Sequence, residues 1–74
     1  MDLQFLRYIG AGVAMLGTVG ASLGIGILAY AALQGIARNP DAAGDVQTNM
    51  ILGIAFAEAI AIYCMVVALV MLFV

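Results

Sequence analysis

Two long apolar stretches, separated by a short polar segment, dominate the pattern of the chain. The first apolar run covers residues 8–33 and has no charged residue, and the second covers residues 50–74 with Glu58 as its only charged residue. A helix needs about 20 apolar residues to cross roughly 30 Å of hydrocarbon, so each run is long enough to span a membrane. The pattern predicts an all-α membrane protein with two transmembrane helices, over about 3–37 and about 42–74.

The polar segment at about 38–41 predicts a tight turn. Arg38, Asn39, Pro40 and Asp41 follow one another there. Proline disfavours the helical conformation of the residue before it and cannot continue a helix, whereas asparagine tolerates turn geometry. Asp41 and Asp45 suit the positive end of the second helix and are interpreted as solvated charges. A short link between long helices predicts a single antiparallel hairpin over residues 1–74.

The composition supports a membrane protein and excludes several functions. The 74 residues are 68% hydrophobic and 8% charged, whereas charged residues make up roughly 25% of soluble domains. The net charge of −2 and the lack of a basic stripe exclude nucleic-acid binding. No histidine, phosphate-binding loop or metal-ligand cluster occurs, so we expect no cofactor, no metal and no catalysis by the chain alone.

The remaining polar and reactive residues give little information about the orientation or the function of the chain. Arg7 and Arg38 put one basic residue on each side of the membrane, so charge does not determine which side the turn faces. The first residues lack the pattern of a signal peptide, and we expect them to belong to the mature protein. Cys64 is the single cysteine, which excludes an internal disulfide, and we interpret it and the five methionines as packing residues.

Small residues occupy two sides of the first helix when residues are placed at 100° intervals. One side holds Gly10, Gly17, Gly20, Gly24, Ala31 and Gly35, and the other holds Thr18, Ser22, Gly26 and Ala29. Between the two sides runs an aliphatic ridge of Ile9, Leu16, Val19, Leu23 and Ile27. Small residues let membrane helices approach closely, so two such sides predict a neighbour on each side and a closed homo-oligomeric ring. The alternative is that glycine is simply frequent in membrane helices.

Glu58 is the candidate functional residue. An ionised side chain at this depth costs about 3 kcal/mol, and the Ile, Leu, Phe and Val residues of its span return roughly 4 to 8 kcal/mol, so the helix still inserts. Desolvation favours the neutral acid, and a nearby cation or water favours the carboxylate. A group with two such environments can bind a proton in one and release it in the other. The alternative is a glutamate buried against a polar partner for structure alone.

The hairpin places Glu58 roughly level with residues 22–27 of the first helix. Gly24 and Gly26 leave room for the carboxyl group at that level and expose backbone carbonyls to it. Tyr63 does not share the face of Glu58, yet its hydroxyl could cap a site between neighbouring copies. Alternatively, Tyr63 is an ordinary amphipathic side chain.

Taken together, these segments closely resemble the c subunit of F-type ATP synthase over essentially the whole chain. The resemblance rests on residues 20–26 (Gly-Ala-Ser-Leu-Gly-Ile-Gly), residues 37–40 (Ala-Arg-Asn-Pro), and residues 51–59, which begin Ile-Leu-Gly and end Glu-Ala. It implies a ring of hairpins, with first helices inside, that carries protons on Glu58. It further implies that Glu58 exchanges its proton at the interface with the a subunit, where an arginine assists release. Arg38, Asn39 and Pro40 would contact the central stalk, and lipid would surround the ring in a bacterial plasma membrane or mitochondrial inner membrane.

The same resemblance bears on the coupled ion. Sodium-binding relatives place a glutamine and a hydroxyl residue where this chain has Ile27 and Ala59, so the missing oxygens favour protons. Tyr63 matches a tyrosine of the ion-site region in many members. Ser22 stands where many members have glycine. Its hydroxyl can bond a carbonyl of its own helix, so we expect slightly looser packing there and no change of fold. The alternatives are a sodium-coupled ring, or a small pore-forming or structural hairpin without coupling.

Overall fold

The computed structural model describes residues 2–74 and folds the chain into two antiparallel helical arms. The first arm consists of α1 (Leu3–Met15) and α2 (Gly17–Arg38), and the second arm is α3 (Ala43–Phe73). The Cα atoms of the hairpin extend over 59 × 16 × 7 Å. The segments Leu3–Arg38 and Pro40–Phe73 are each long and apolar enough to cross a membrane, judged by length and composition. The predicted two-helix hairpin is therefore confirmed.

The turn between the arms is shorter than the predicted loop. The first arm continues through Arg38, and Asn39 is the one residue between the arms outside a helical conformation, with φ −140° and ψ 82°. A 3₁₀ turn over Pro40–Ala42 then leads directly into α3. Proline fits the first position of such a turn because its fixed φ is helical and its missing N–H would have no partner there.

The first arm is interrupted at Leu16, where the sequence analysis expected one continuous helix. The Leu16 N–H donates to the Val13 carbonyl at 3.1 Å, and the Val19 N–H donates to the Leu16 carbonyl at 3.1 Å, so both bonds span three residues. The Thr18 hydroxyl donates to the Met15 carbonyl at 2.7 Å. A threonine hydroxyl that occupies a helix carbonyl competes with the backbone N–H, which explains the local tightening.

Small side chains form the contact between the arms. Ala11, Ala21 and Ala32 of the first arm and Ala68 of α3 are the buried hydrophobic residues. Half-buried residues fill the intervals on the first arm at spacings of three or four: Ala14, Thr18, Ile25 and Leu28. This spacing is typical of two helices packed at a shallow angle. Within residues 2–74 no large side chain is fully buried, so the contact is thin.

Three glycines determine how the arms are aligned. A Cβ atom at Gly17 would lie 2.5 Å from the Cys64 Sγ, and one at Gly53 would lie 2.5 Å from the Leu28 Cδ2. Gly10 meets the end of Met71 in the same way. In each pair the two residue numbers add to 81 (10 and 71, 17 and 64, 28 and 53). Residue n of the first arm is therefore level with residue 81 minus n of α3.

Candidate functional site

Glu58 lies on the surface of the hairpin near the middle of α3. The alignment of the arms puts it level with Leu23, within the range of levels that the sequence analysis expected. Its neighbour Ala57 belongs to the half-buried face of α3, and Glu58 itself is exposed. Successive helical residues are rotated by about 100°, so the carboxyl group lies at the side of the contact between the arms.

The chain itself offers Glu58 no cation. Its two arginines, Arg7 and Arg38, lie near the ends of the first arm, level with residues 74 and 43 of α3. At about 1.5 Å per residue, both lie more than about 20 Å from Glu58 along the helix axis. Among residues 2–74, no side-chain hydrogen bond to Glu58 is formed. Any cationic partner must therefore come from another molecule.

The first arm presents open space at the level of the carboxylate. A Cβ atom at Gly20, Gly24 or Gly26 would meet no heavy atom within 4 Å. A groove of about 300 Å³ runs along this part of the arm, lined by Ser22, Leu23, Gly26, Ile27 and Tyr30. Its lining is almost entirely apolar.

A heptad of glycines explains why the space opens at this level. Gly10, Gly17 and Gly24 follow one another at seven-residue intervals, and their partners on α3 are Met71, Cys64 and Ala57. The partner side chain shrinks along this series, so the first two glycines are filled from the opposite arm and Gly24 is not. Gly20 is open as well.

The hydroxyl of Ser22 is already occupied within its own helix. Ser22 Oγ donates to the Thr18 carbonyl at 2.7 Å, which is the bond within its own helix that the sequence analysis described. Ile27, at 69% exposure, and Ala59 present only apolar atoms near the level of Glu58. Neither side chain can supply an oxygen ligand to a cation.

Tyr63 and Glu58 are not brought together within one chain. Five residues separate them, which is about 140° around the helix. Tyr63 is 71% exposed and lines a separate groove of about 280 Å³ with Ala14, Ile60, Cys64 and Val67. A joint site for the two side chains therefore requires a second copy.

The remaining predicted residues divide between the contact and the surface. Gly10 and Gly17 pack against α3, whereas Gly20 and Gly24 face open space. At the turn, Arg38, Asn39 and Pro40 are all exposed.

One feature of the surface was missed in the sequence analysis. Gln4 is hydrogen-bonded to Tyr8, and Gln34 is hydrogen-bonded to Tyr30. A glutamine four residues from a tyrosine on a helix was the available signal, because residues at that spacing are neighbours on the helix surface.

Comparison with known proteins identifies the family. A family model described as the C subunit of ATP synthase matches residues 9–71, which is most of the chain. The chain belongs to the ATP synthase c-subunit family. This membership confirms the resemblance and agrees with a membrane location for the two apolar helices.

Individual members of this family match over nearly their whole length. The ATP synthase c subunit of Dehalococcoides mccartyi is 49% identical over 75 residues, covering 100% of this chain and 99% of the relative. ATP synthase subunit 9, mitochondrial, of Mycosarcoma maydis is 43% identical over 71 residues, covering 96% and 97%. The ATP synthase c subunit of Clostridium acetobutylicum is 42% identical over 69 residues, covering 93% and 85%. The family thus includes similar chains from bacteria and from a mitochondrion.

Proposed function

We propose that the chain is the proton-translocating subunit of the rotor ring of an F-type ATP synthase, with Glu58 as the proton carrier. The observation that carries the proposal is an exposed carboxyl group near the middle of a membrane span, with no cation of its own chain within about 20 Å along the axis. Intramembrane acids of this kind mark ion pathways by default. In the ATP synthase, such a subunit couples ion flow to rotation and is not itself catalytic.

The carrier works because its charge state follows its surroundings. Against lipid, desolvation keeps Glu58 as the neutral acid, which crosses hydrocarbon at low cost. At the interface with the a subunit, an arginine and water favour the carboxylate, and the proton passes to the aqueous path. Reprotonation from the opposite path restores the neutral acid. Because the chain holds no cation near Glu58, nothing of its own traps the carboxylate between these steps.

The open glycines support assembly into a ring. Gly20 and Gly24 lie on one side of the first arm, and Ser22 and Gly26 lie on the other. Each side is rotated by roughly 80° from the direction of α3, so neighbouring copies would approach laterally. Head-to-tail contacts of this kind close into a ring, with first arms inside. The exposed turn at Arg38, Asn39 and Pro40 is then the contact for the central stalk.

The chemistry near Glu58 supports protons as the coupled ion. Hard cations are held by several oxygen ligands, whereas a proton needs only the acid and one acceptor. Ile27 and Ala59 supply no oxygen. A sodium-coupled ring therefore remains the weaker candidate.

The decisive experiment replaces the carrier in the complete ATP synthase. Glu58→Gln keeps the size and polarity of the side chain but cannot release a proton. We expect the variant to assemble and to copurify with the soluble ATPase head, with proton-driven ATP synthesis lost. Synthesis at the wild-type rate in inverted or proteoliposomal vesicles would refute the proposal. A structural hairpin would instead tolerate both Glu58→Gln and Glu58→Ala.

A second experiment separates protons from sodium. Carbodiimide labels the carboxyl group of Glu58, and a bound sodium ion protects it. We expect the labelling rate at fixed pH to be the same with and without sodium chloride, with potassium chloride as the control for ionic strength. Strong protection by sodium alone would overturn the assignment of the ion while leaving the rotor assignment intact.

A further inference from the structure

A groove with a partly polar lining lies between the two arms near the turn. Its volume is about 350 Å³, and the apolar residues Leu28, Ala31 and Met50 line it. Asp45 and Asn49 also line it, and the alignment of the arms puts both of them closer to the turn than those three residues. The polar part of the lining therefore lies at the end of the groove near the turn.

The two polar side chains of this groove can each accept a further hydrogen bond. Asn49 Nδ2 donates to the backbone carbonyl of Asp45 at 2.9 Å, which leaves the Asn49 Oδ1 as an acceptor. Among residues 2–74 no hydrogen bond is donated to the Asp45 carboxylate, and Arg38 does not pair with it. Once a neighbour covers the groove, acceptors left unpaired there would be costly. The groove therefore suits a partner that donates two hydrogen bonds.

A side chain with two donors lies on the opposite side of the hairpin. The half-buried Val46 faces the first arm, so Asp45 and Gln47, one residue before and after it, are rotated by about 100° in opposite directions. Ile51 follows Gln47 by four residues and shares its side to within about 40°. Both are exposed. The amide group of Gln47 carries two N–H donors, as the groove requires.

The groove and this opposite side match in height. Rotation about a ring axis parallel to the arms leaves the height of every residue unchanged. Gln47 of a neighbouring copy then lies between the heights of Asp45 and Asn49. Ile51 of that copy lies beside the height of Met50, in the apolar part of the groove. Helical side chains lean toward the N-terminus of their helix, which for α3 is the turn, so the amide of Gln47 leans toward the polar end.

We propose that the groove of each copy receives Gln47 and Ile51 of the next copy. The Gln47 amide donates to the Asp45 carboxylate and to the Asn49 Oδ1, and Ile51 packs on the apolar lining. The inference rests on the proposed ring and adds to it a polar contact at the turn. A polar residue at one position of an apolar interface specifies register, so this contact sets the relative height of adjacent copies, which small residues alone leave free to slide.

Disulfide formation between copies tests the proposed contact. In full-length protein with Cys64→Ala, the pair Asp45→Cys and Gln47→Cys introduces two cysteines that lie on opposite sides of one chain. We expect mild oxidation in the membrane to give a ladder of linked oligomers on a denaturing gel, reversed by a thiol. Each single variant is a control, because head-to-tail contacts never bring the same residue of two copies together. The pair Asp45→Cys and Ile51→Cys should link much less, because its heights differ by about 9 Å.

The outcomes separate this contact from the ring itself. An oligomer of the unoxidised protein on a mild-detergent gel, without disulfides between positions 45 and 47, would overturn the contact and leave the ring intact. Equal linking of the two pairs would overturn the proposed register. A wild type that migrates as a monomer in the same gel would refute both the ring and the contact.

An exchange of the two groups tests the hydrogen bond. Gln47→Glu places a carboxylate against that of Asp45 and removes a hydrogen bond to a charged group. Each contact between copies should weaken about tenfold, measured as a lower temperature of oligomer dissociation in detergent. Adding Asp45→Asn restores an amide opposite a carboxylate and should return the dissociation temperature toward the wild-type value.

Thr48→Glu is the matched control for the exchange. It adds the same charge one residue further along α3, where the side chain is exposed and rotated by about 160° from the first arm, outside the contact. We expect it to leave the dissociation temperature unchanged. An equal effect of Gln47→Glu and Thr48→Glu, or no recovery on adding Asp45→Asn, would contradict the proposal.

Discussion

The packing beside the glycines is more open near the level of Glu58 than at the levels on either side of it. On one side, Gly17 receives the side chain of Cys64, and on the other, Gly53 receives Leu28. Between them, Gly24, which is one residue from the level of Glu58, faces open space. The open space lies at the edge of the contact, because Ala21 and Ile25 still pack between the arms near this level.

This difference distinguishes the packing that forms the hairpin from the surroundings of Glu58. Where a glycine of one arm faces a larger side chain of the other, a single chain completes its own packing. Gly24 is level with Ala57, both residues are small, and the space beside Gly24 stays open to a third helix. A single chain therefore suffices for the hairpin, while the surroundings of Glu58 depend on what packs beside it. Substitutions at the two kinds of glycine should consequently have different effects.

The largest effect is expected at the open level. Gly24→Leu places a large side chain on a surface with no heavy atom within 4 Å of the new Cβ, so the hairpin should fold normally. A neighbouring copy would be held away by the same side chain, because close approach requires small residues. We expect the wild type to migrate as an oligomer in detergent and the variant to migrate as a monomer with the same helix content, measured by gel mobility and circular dichroism.

The control for this variant is Val19→Leu, which adds bulk to the exposed ridge and should leave the oligomer intact. An oligomer of normal size in Gly24→Leu would mean that this side of the arm is not an interface.

An intermediate effect is expected at a filled level. Gly17→Ala would put a Cβ atom 2.5 Å from the Cys64 Sγ. Overpacking of this kind costs about 1 to 3 kcal/mol, so the hairpin should unfold at a lower denaturant concentration. Gly12→Ala is the matched control, because a Cβ there meets nothing within 4 Å. Its free energy of unfolding should stay within about 0.5 kcal/mol of the wild type or rise slightly.

A double-mutant cycle tests whether the lost stability of Gly17→Ala comes from contact with the sulfur atom of Cys64. A Cβ atom added at Gly17 would lie 3.8 Å from the Cys64 Cβ, which is an ordinary contact. Adding Cys64→Ala to Gly17→Ala should therefore recover most of the lost stability. Additive destabilisation by the two changes would show that the register of the arms is different.

The smallest effect is expected at the interruption of the first arm. Thr18→Val removes the hydroxyl that occupies the Met15 carbonyl, a loss of about 0.5 to 1.5 kcal/mol. Amide hydrogen exchange at residues 16–19 reports whether the backbone bonds rearrange, and Thr18→Ser, which keeps the hydroxyl, serves as the control. Identical exchange in Thr18→Val and the wild type would show that the interruption does not depend on this hydroxyl.

The features that follow from the lengths of the apolar runs were predictable from the sequence. The two arms, their turn near Pro40 and the approximate level of Glu58 all depend on counting residues from that turn. The hydrogen bond of Ser22 was predictable because a hydroxyl in an apolar helix has few other acceptors.

Two other features were not predictable from helical periodicity. Helical periodicity groups Gly17 with Gly24, yet one is filled and the other open, because Cys64 is larger than Ala57. Recognising this requires the register between the arms. The interruption at Leu16 depends on competition between the Thr18 hydroxyl and a backbone N–H for one carbonyl. The spacing of apolar residues does not report such competition.

The short turn gives the hairpin a mechanical property. Since Asn39 alone separates the helical segments, the turn has little backbone that can flex independently of the two arms. From Pro40, unbroken helical turns lead to Glu58 over about 27 Å. A load applied at the turn is therefore transmitted to the carboxylate with little compliance, and the hairpin behaves as a stiff lever.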